Sequence, residues 1–431
     1  MNDYQRRLLR AIPGGAHTYS RGFDQYPSNA PEILTGGKGG YVFNATGTSY
    51  LDYGMALRAV NIGYAEDEID EGAIRQIRLG NNLTRPSLTE LKAAELLVDL
   101  IDSVDMVKFT KNGSSSVSAA VKLARAYTGR ELVACCADHP FFSYDDWFIS
   151  STPIKSGIPS YTEEMIKLFH YNNITSLKKL IDQFPGKIAC VVIEAETTEA
   201  PRDGFLHEVQ KICRDNGIVF ILDEMITGFR WHLKGAQHLY GLKPDLSTFG
   251  KAMANGYSVS CVAGRREIME LGSIEFEGRE RLFLLSSTHG AEMAGLGAFI
   301  ATIEMMQREK VVEHLWSYGD LLKELIKKKA DEHGVADSLR VSGVACSPAY
   351  STFDSEGNIS LPLRTLFSQE MIKNGVLMPW IALCMRHGEK ELSITSNALD
   401  RALPIYKKAL DGRVEDYLQG SVIKPVFRKF N

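Results

Sequence analysis

The sequence lacks paired cysteines, long apolar runs and an excess of either charge. Its seven cysteines form no CxxC pair, so we expect reduced, buried thiols in a cytoplasmic protein and no metal centre. No apolar run approaches the roughly 18 residues that a membrane-spanning helix needs, and the N-terminal residues lack the apolar core of a signal peptide. Lys and Arg number 49 against 53 Asp and Glu, a formal net charge of −4, which argues against a nucleic-acid or membrane partner recruited by bulk charge.

The overall composition, with 44% apolar and 24% charged residues, is typical of a globular protein. Residues 188–194 (IACVVIE) predict a buried strand, residues 207–216 predict a helix that Gly217 ends, and residues 218–222 (IVFIL) predict a second strand. Strand, helix and strand at this spacing indicate parallel pairing, and continuous apolar strands indicate a sheet covered on both faces. The central part is therefore predicted to be an α/β layered domain.

The two ends of the chain differ from its middle. Residues 1–50 are rich in loops, and from about residue 305 the chain continues in long charged helices such as residues 313–332. A chain of 431 residues is long enough for two or three domains. We therefore predict a large domain over residues 51–310 and a smaller α+β domain that residues 1–50 and 311–431 build together.

Two polar signals fall where predicted strands end, the place where open α/β sheets bind ligands. Asp223 follows IVFIL directly, and a carboxylate there costs energy unless a partner compensates it. A helix cap or a structural ion pair is the alternative. Lys251 follows a short strand in PDLSTFGK, and a partly desolvated lysine has a lowered pKa and can form a Schiff base. The alternative is a surface lysine after a turn.

A third signal precedes the helix predicted over residues 117–127. The run KNGSSS at residues 111–116 would present free N–H groups to an anion, although an ordinary serine N-cap explains it as well. A phosphate cradle, a strand-end acid and a strand-end lysine are together what pyridoxal 5′-phosphate requires. The acid keeps the pyridine nitrogen protonated, so that the ring accepts electrons.

Three segments of the chain resemble the motifs of class III, fold-type I enzymes that depend on pyridoxal phosphate. They are residues 107–130 (VKFTKNGSSSVSAAVKLARAYTGR), 222–230 (LDEMITGFR) and 244–259 (PDLSTFGKAMANGYSV). The resemblance runs from about residue 13 to about residue 310. It is to the subgroup of glutamate-1-semialdehyde 2,1-aminomutase and its aminotransferase relatives. It implies a mostly parallel seven-stranded sheet with helices on both faces and a small α+β domain.

The resemblance also assigns roles to single residues. Lys251 takes the place of the Schiff-base lysine and Asp223 that of the partner of the pyridine nitrogen, and these two are the catalytic residues. The cofactor-binding residues that it implies are Asn112, Gly113, Ser114, Phe141, Glu194, Asp223, Met225, Lys251 and Thr288.

Within that set, Met225 takes an apolar position against one face of the ring. Glu194 matches the glutamate of an EP motif, although Ala195 replaces the proline. Phe141 takes the ring-stacking position and Phe142 is the alternative. Thr288, in STHGAE, corresponds to a threonine that reaches the phosphate of the partner subunit, so a homodimer with shared sites is implied.

The substrate assignment starts from Arg21. Residues 13–23 (PGGAHTYSRGF) resemble the aminomutase segment whose arginine grips the substrate carboxylate, and Arg58 is a second candidate. Residues 56–59 and 379–383 depart from the aminomutase motifs, and the second of these segments has no acid to gate the site. These departures favour an aminotransferase, with L-glutamate as the expected donor. Residues 290–292 (GAE) resemble those of family members from sugar and polysaccharide pathways, and this resemblance implies a carboxylated, sugar-like carbonyl acceptor. An aminomutase and a non-catalytic protein that binds pyridoxal phosphate remain the alternatives.

Overall fold

The computed structural model describes residues 3–431, which form two compact units. The large unit is Asp67–Val312, and the small unit combines residues 3–66 with Glu313–Asn431. Residues 51–66, which the sequence groups with the middle of the chain, lie in the small unit because a strand at residues 49–52 pairs there with one at residues 376–377. The two-domain division stays a proposal.

The large unit contains a seven-stranded sheet. Its strands are β4 (Met106–Thr110), β5 (Leu132–Cys136), β6 (Ile166–Phe169), β7 (Ile188–Glu194), β8 (Val219–Glu224), β9 (Leu246–Phe249) and β10 (Ser260–Gly264). Their order is β4-β10-β9-β8-β7-β5-β6, and β10 alone among them runs antiparallel to its neighbours. Every residue of β5, β7, β8, β9 and β10 is buried. Alternate side chains point to opposite faces, so both faces are covered, as predicted.

Helices connect and cover these strands. They are α3 (Asp67–Arg78), α4 (Leu88–Leu100), α5 (Gly113–Thr128), α6 (Asp146–Ile149), α7 (Ile174–Gln183), α8 (Phe205–Asp215), α9 (Ala236–Leu239), α10 (Arg266–Met269) and α11 (Met293–Glu309). The predicted strand at residues 188–194 is β7. Gly217, which follows α8, has a φ of +59°, the left-handed conformation in which glycine ends helices.

The small unit is an α+β assembly. Its strands are β1 (Leu34–Lys38), β2 (Tyr41–Asn44), β3 (Ser49–Asp52), β11 (Leu339–Ser342), β12 (Ala349–Thr352) and β13 (Val376–Leu377). Its helices are α1 (Asp3–Ala11), α2 (Met55–Arg58), α12 (Val311–Glu332, which begins at the boundary), α13 (Leu361–Lys373) and α14 (Glu389–Asp411). The first sheet has the order β1-β2-β3-β13, and β11 pairs with β12.

None of the seven cysteines forms a disulfide, and all seven are buried, as expected. Burial raises the pKa of the thiols of Cys136, Cys190 and Cys384 to about 12. These thiols are therefore protonated near neutral pH. Among residues 3–431, no helix has both the length and the apolarity needed to cross a bilayer.

Candidate active site

Asp223 lies at the carboxyl end of β8, where it is 2% exposed. In the sheet register it stands between Glu194 on β7 and Thr248 on β9. The backbone N–H of Met225 and the hydroxyl of Thr248 both donate to its Oδ1 atom, each over 2.9 Å. Burial raises the pKa of Asp223 to about 6, against the lowering effect of these bonds and of the charge on Lys251. The carboxyl group is thus held in an environment that favours a cationic partner.

Lys251 follows β9 after a single glycine. Its φ is +42°, a left-handed conformation that a residue with a side chain adopts at a cost of order 1–3 kcal/mol and that is often found at functional sites. A Cβ atom on Gly250 would lie 2.5 Å from the sulfur of Met225, so only glycine fits before the lysine. Lys251 is close enough to Asp223 for its charge to lower the pKa of that carboxyl group.

The N-terminus of α5 forms the third part of the site. The side-chain oxygen of Asn112 accepts the N–H of Ser115 over 2.9 Å, which caps the helix. The N–H groups of Gly113 and Ser114, in the first turn, have no intrahelical carbonyl to bind. Ser114 is buried, and its hydroxyl accepts the N–H of Tyr144 over 3.1 Å. The cap orients this turn and leaves its first N–H groups for an anion.

Met225 joins these parts. A Cβ atom on Gly113 would lie 2.8 Å from the Met225 sulfur, and the hydroxyl of Ser260 approaches the same sulfur to 3.5 Å. The thioether therefore packs between the start of α5 and the glycine that precedes Lys251. The predicted phosphate cradle, acid and lysine are thus brought together in the large unit.

The two candidate stacking residues differ in exposure. Phe142 is 2% exposed, lies in the hydrophobic core, and packs edge-on against Phe148 at 5.8 Å between ring centroids. Phe141 is 44% exposed. Of the two, Phe141 keeps a ring accessible to a ligand, and Phe142 is part of the core.

Two further residues hold the strand ends that carry the acids. Thr248 binds Asp223, and the parallel register of β8 and β9 could have indicated it. His139 accepts the backbone N–H of Glu194 at its Nδ1 atom over 3.0 Å. Burial lowers the pKa of His139 to about 4, so the ring is neutral near pH 7.

The remaining candidates are Thr288, Arg21 and Arg58. Thr288 is exposed. The side-chain amide of Asn82 donates a hydrogen bond to the backbone carbonyl of Thr288 over 2.9 Å. Arg21 and Arg58 belong to the small unit. Arg21 lines a cavity of about 1180 Å³ in that unit, and Arg58 ends the turn α2.

The family is established by comparison. Residues 25–410 match the model of the family described as aminotransferase class-III. The chain belongs to this family, so it is a pyridoxal-phosphate-dependent aminotransferase of fold type I. The chain is similar to a 3-aminobutyryl-CoA aminotransferase of Cloacimonas acidaminovorans (strain Evry), with 32% identity over 93% of this chain and 95% of the relative.

Two further relatives share less sequence identity with the chain. A glutamate-1-semialdehyde 2,1-aminomutase of Lachnoclostridium phytofermentans is 27% identical over 92% of this chain and 96% of its own. The FumI protein of Sphingopyxis sp. MTA144, solved as the internal aldimine form of pyridoxal phosphate, superposes with a TM-score of 0.86 at 25% identity. That match covers 95% of this chain and 97% of FumI.

The residues present fit pyridoxal 5′-phosphate. Both hydrogen bonds to Asp223 end on Oδ1, so Oδ2 is left for the N–H of a protonated pyridine ring. The raised pKa of Asp223 is what a buried acid shows when its cationic partner is absent. Gly113 and Gly250 stand where a side chain would collide with Met225. When bound, the cofactor supplies an electron sink for the carbon that loses its proton.

Proposed function

We propose that this aminotransferase moves an amino group from L-glutamate to the carbonyl of a carboxylated, hydroxylated acceptor of the sugar-acid class. A specific candidate acceptor is the oxidised 8-position of 3-deoxy-manno-octulosonate, in lipopolysaccharide biosynthesis. The observation that carries the transaminase chemistry is the juxtaposition of Lys251 with Asp223, beside the first turn of α5. The acceptor class is supported by the lining of the cavity in the small unit.

In this proposal Lys251 and Asp223 carry the proton chemistry. The Lys251 amine would hold the cofactor covalently at rest, and once freed it would take up and return the proton of the substrate carbon. Asp223 holds the pyridinium proton, and Thr248 fixes its carboxyl group in orientation. Transfer runs in two half-reactions, with release of 2-oxoglutarate between them.

Binding roles fall to the surrounding residues. Asn112, Gly113 and Ser114 hold the phosphate, Phe141 stacks on one ring face, and Met225 packs against the other. Glu194, at the end of β7 and opposite Asp223, would also contact the cofactor. Thr288 is supplied by a second copy of the chain, so the working molecule is a homodimer. Arg21 binds the substrate carboxylate, and Arg58 is a further candidate for this role.

The test separates the two half-reactions. Purified protein should be yellow and should lose its visible absorbance when L-glutamate is added and no acceptor is present. Borohydride should fix the cofactor on Lys251. The variant Lys251→Ala should take up no reducible label and should lose at least about 100-fold in rate. Wild-type turnover in that variant would refute the mechanism.

The aminomutase alternative is tested by the same preparation. A mutase shifts the amino group within one molecule and needs neither external donor nor external acceptor. Turnover of glutamate-1-semialdehyde without added glutamate or 2-oxoglutarate would overturn the transaminase proposal. A strict requirement for an added donor would support it.

A further inference from the structure

The cavity of the small unit is lined by two cations without a carboxylate partner. Arg21 and Lys424 both line it, and within residues 3–431 neither side chain lies within ion-pair distance of an acid. The backbone N–H of Lys424 donates to the carbonyl of Asp24 over 2.9 Å, so the two cations lie on neighbouring stretches of the same wall. Unpaired cations that share one concave wall are an arrangement that favours an anionic ligand.

Two of the three acids that line this cavity, Asp24 and Asp52, do not cancel that charge. Asp24 is paired with Arg428 at 2.5 Å. Asp52 is buried, accepts hydrogen bonds from the N–H groups of Gly54 and Met55 at 2.6 and 3.1 Å, and accepts a third from Tyr64. Burial raises the pKa of the Asp52 carboxyl group, so its negative charge is disfavoured there.

The rest of the lining matches a hydroxylated carbon chain. Glu32 lines the cavity with no ion-pair partner among residues 3–431, and its carboxylate can accept hydrogen bonds from hydroxyl groups. Half-buried Tyr26, Tyr64 and Trp380 provide aromatic faces for C–H groups. Trp380 is held by a 2.9 Å hydrogen bond from its indole nitrogen to the carbonyl of Gly54.

The wall that carries Lys424 is anchored to α13. The N–H of Ile423 donates to the Thr365 hydroxyl over 3.1 Å, and the N–H of Gln419 donates to the Gln369 side chain over 2.8 Å. Thr365 and Gln369 are one helical turn apart, so they hold the extended segment at two points on one helix face. Residues 21 and 424 both lie outside the family match at residues 25–410.

We infer that residues 418–424, the anchored segment, supply a cation to a binding pocket for a hydroxylated carboxylate, with Lys424 as a specificity-determining residue. The carboxylate lies between Lys424 and Arg21, and the hydroxyl groups face Glu32 and the aromatic rings. That this ligand is the amino acceptor rests on the proposed function. That the pocket binds a hydroxylated carboxylate is inferred from the geometry of the small unit alone.

The test is binding of D-gluconate to the cofactor-loaded protein, measured by calorimetry. D-Gluconate has no carbonyl and cannot turn over, so binding is read without activity. Hexanoate matches its carboxylate and chain length, and sorbitol matches its hydroxyl groups. We expect gluconate to bind more tightly than either. Lys424→Met should weaken gluconate binding at least fivefold, and Arg21→Met should do so as well.

Lys429→Met is the matched control. Lys429 lies five residues after Lys424, over the ring of Phe430, and does not line the cavity, so gluconate affinity should be unchanged. Equal binding of the three probes, or equal loss in the Lys424 and Lys429 variants, would overturn the inference. Loss of absorbance with glutamate reports the proposed function separately, so either idea can fail while the other stands.

Discussion

In the cofactor-free protein, burial makes the ionised form of the Asp223 carboxyl group energetically costly. Its pKa of about 6 in the folded protein exceeds the ordinary value of 3.8. The folded state therefore binds this proton more tightly than the unfolded state does. Between about pH 4 and pH 6 the cofactor-free protein should lose stability as the pH rises, and the lower stability should persist at pH 7.

The variant Asp223→Asn tests this at the same residue. Asparagine keeps an acceptor for Met225 and Thr248 but carries no charge, so the cofactor-free variant should be more stable than the wild type at pH 7. The difference should vanish below pH 4. Urea denaturation at both pH values measures it. Equal stability of the variant and the wild type at pH 7 would mean that the ionised Asp223 does not destabilise the folded protein. The variant should also bind the cofactor more weakly than the wild type.

Single residues also show which parts of the candidate site could be predicted from the sequence and which could not. Asp223 follows the apolar run IVFIL and Lys251 follows the short strand LSTF with one glycine between, and the edge of a parallel sheet collects such strand ends. Phe141 and Phe142 could not be separated, because adjacent residues in a loop have no periodicity that reports burial. Thr248 was missed because its hydroxyl acquires a role only from the neighbouring strand.

At the scale of elements, the start of α5 packs closely against the residue that follows β8, because Gly113 leaves room for the side chain of Met225. A methyl group at position 113 would lie 2.8 Å from the Met225 sulfur. Gly113→Ala should therefore displace Met225 and weaken cofactor binding about tenfold, as measured by equilibrium dialysis. Adding Met225→Ala should restore part of the affinity. A double variant no better than the single one would show that the α5 turn itself was disturbed.

The turn α2 is a second element that could not be predicted. Met55, Ala56, Leu57 and Arg58 all have positive φ values, between +38° and +65°, and left-handed residues with side chains cost roughly 1–2 kcal/mol each. No sequence signal marks such a turn, because glycine, the usual marker, is absent. Ala56→Gly should raise the free energy of unfolding by about 0.5–1 kcal/mol. A drop in urea midpoint would contradict this.

For the whole molecule, the fold class followed from the order of apolar strands and helices, but the unit boundary did not. It depends on the two-residue strand β13 pairing with β3, a contact between residues far apart in the chain, and short strands leave little periodicity to read.

The proposed homodimer makes a prediction at this scale. Mixed dimers of Lys251→Ala and Thr288→Val chains should contain one intact site each, because each site takes its lysine and its threonine from different copies. Reassembled equal mixtures should then regain about a quarter of wild-type activity. Activity no higher than the mean of the two parents would place Thr288 within its own subunit's site. Light scattering on the mixture checks that dimers form.

The buried thiols also allow the local opening of each unit to be measured. Five of the seven cysteines lie in the large unit, and Cys346 and Cys384 lie in the small unit. A thiol reagent added under native conditions can react only after the surrounding structure opens, since thiolate formation requires exposure. Mass spectrometry of the labelled peptides would then time the opening of each unit separately, without any introduced probe.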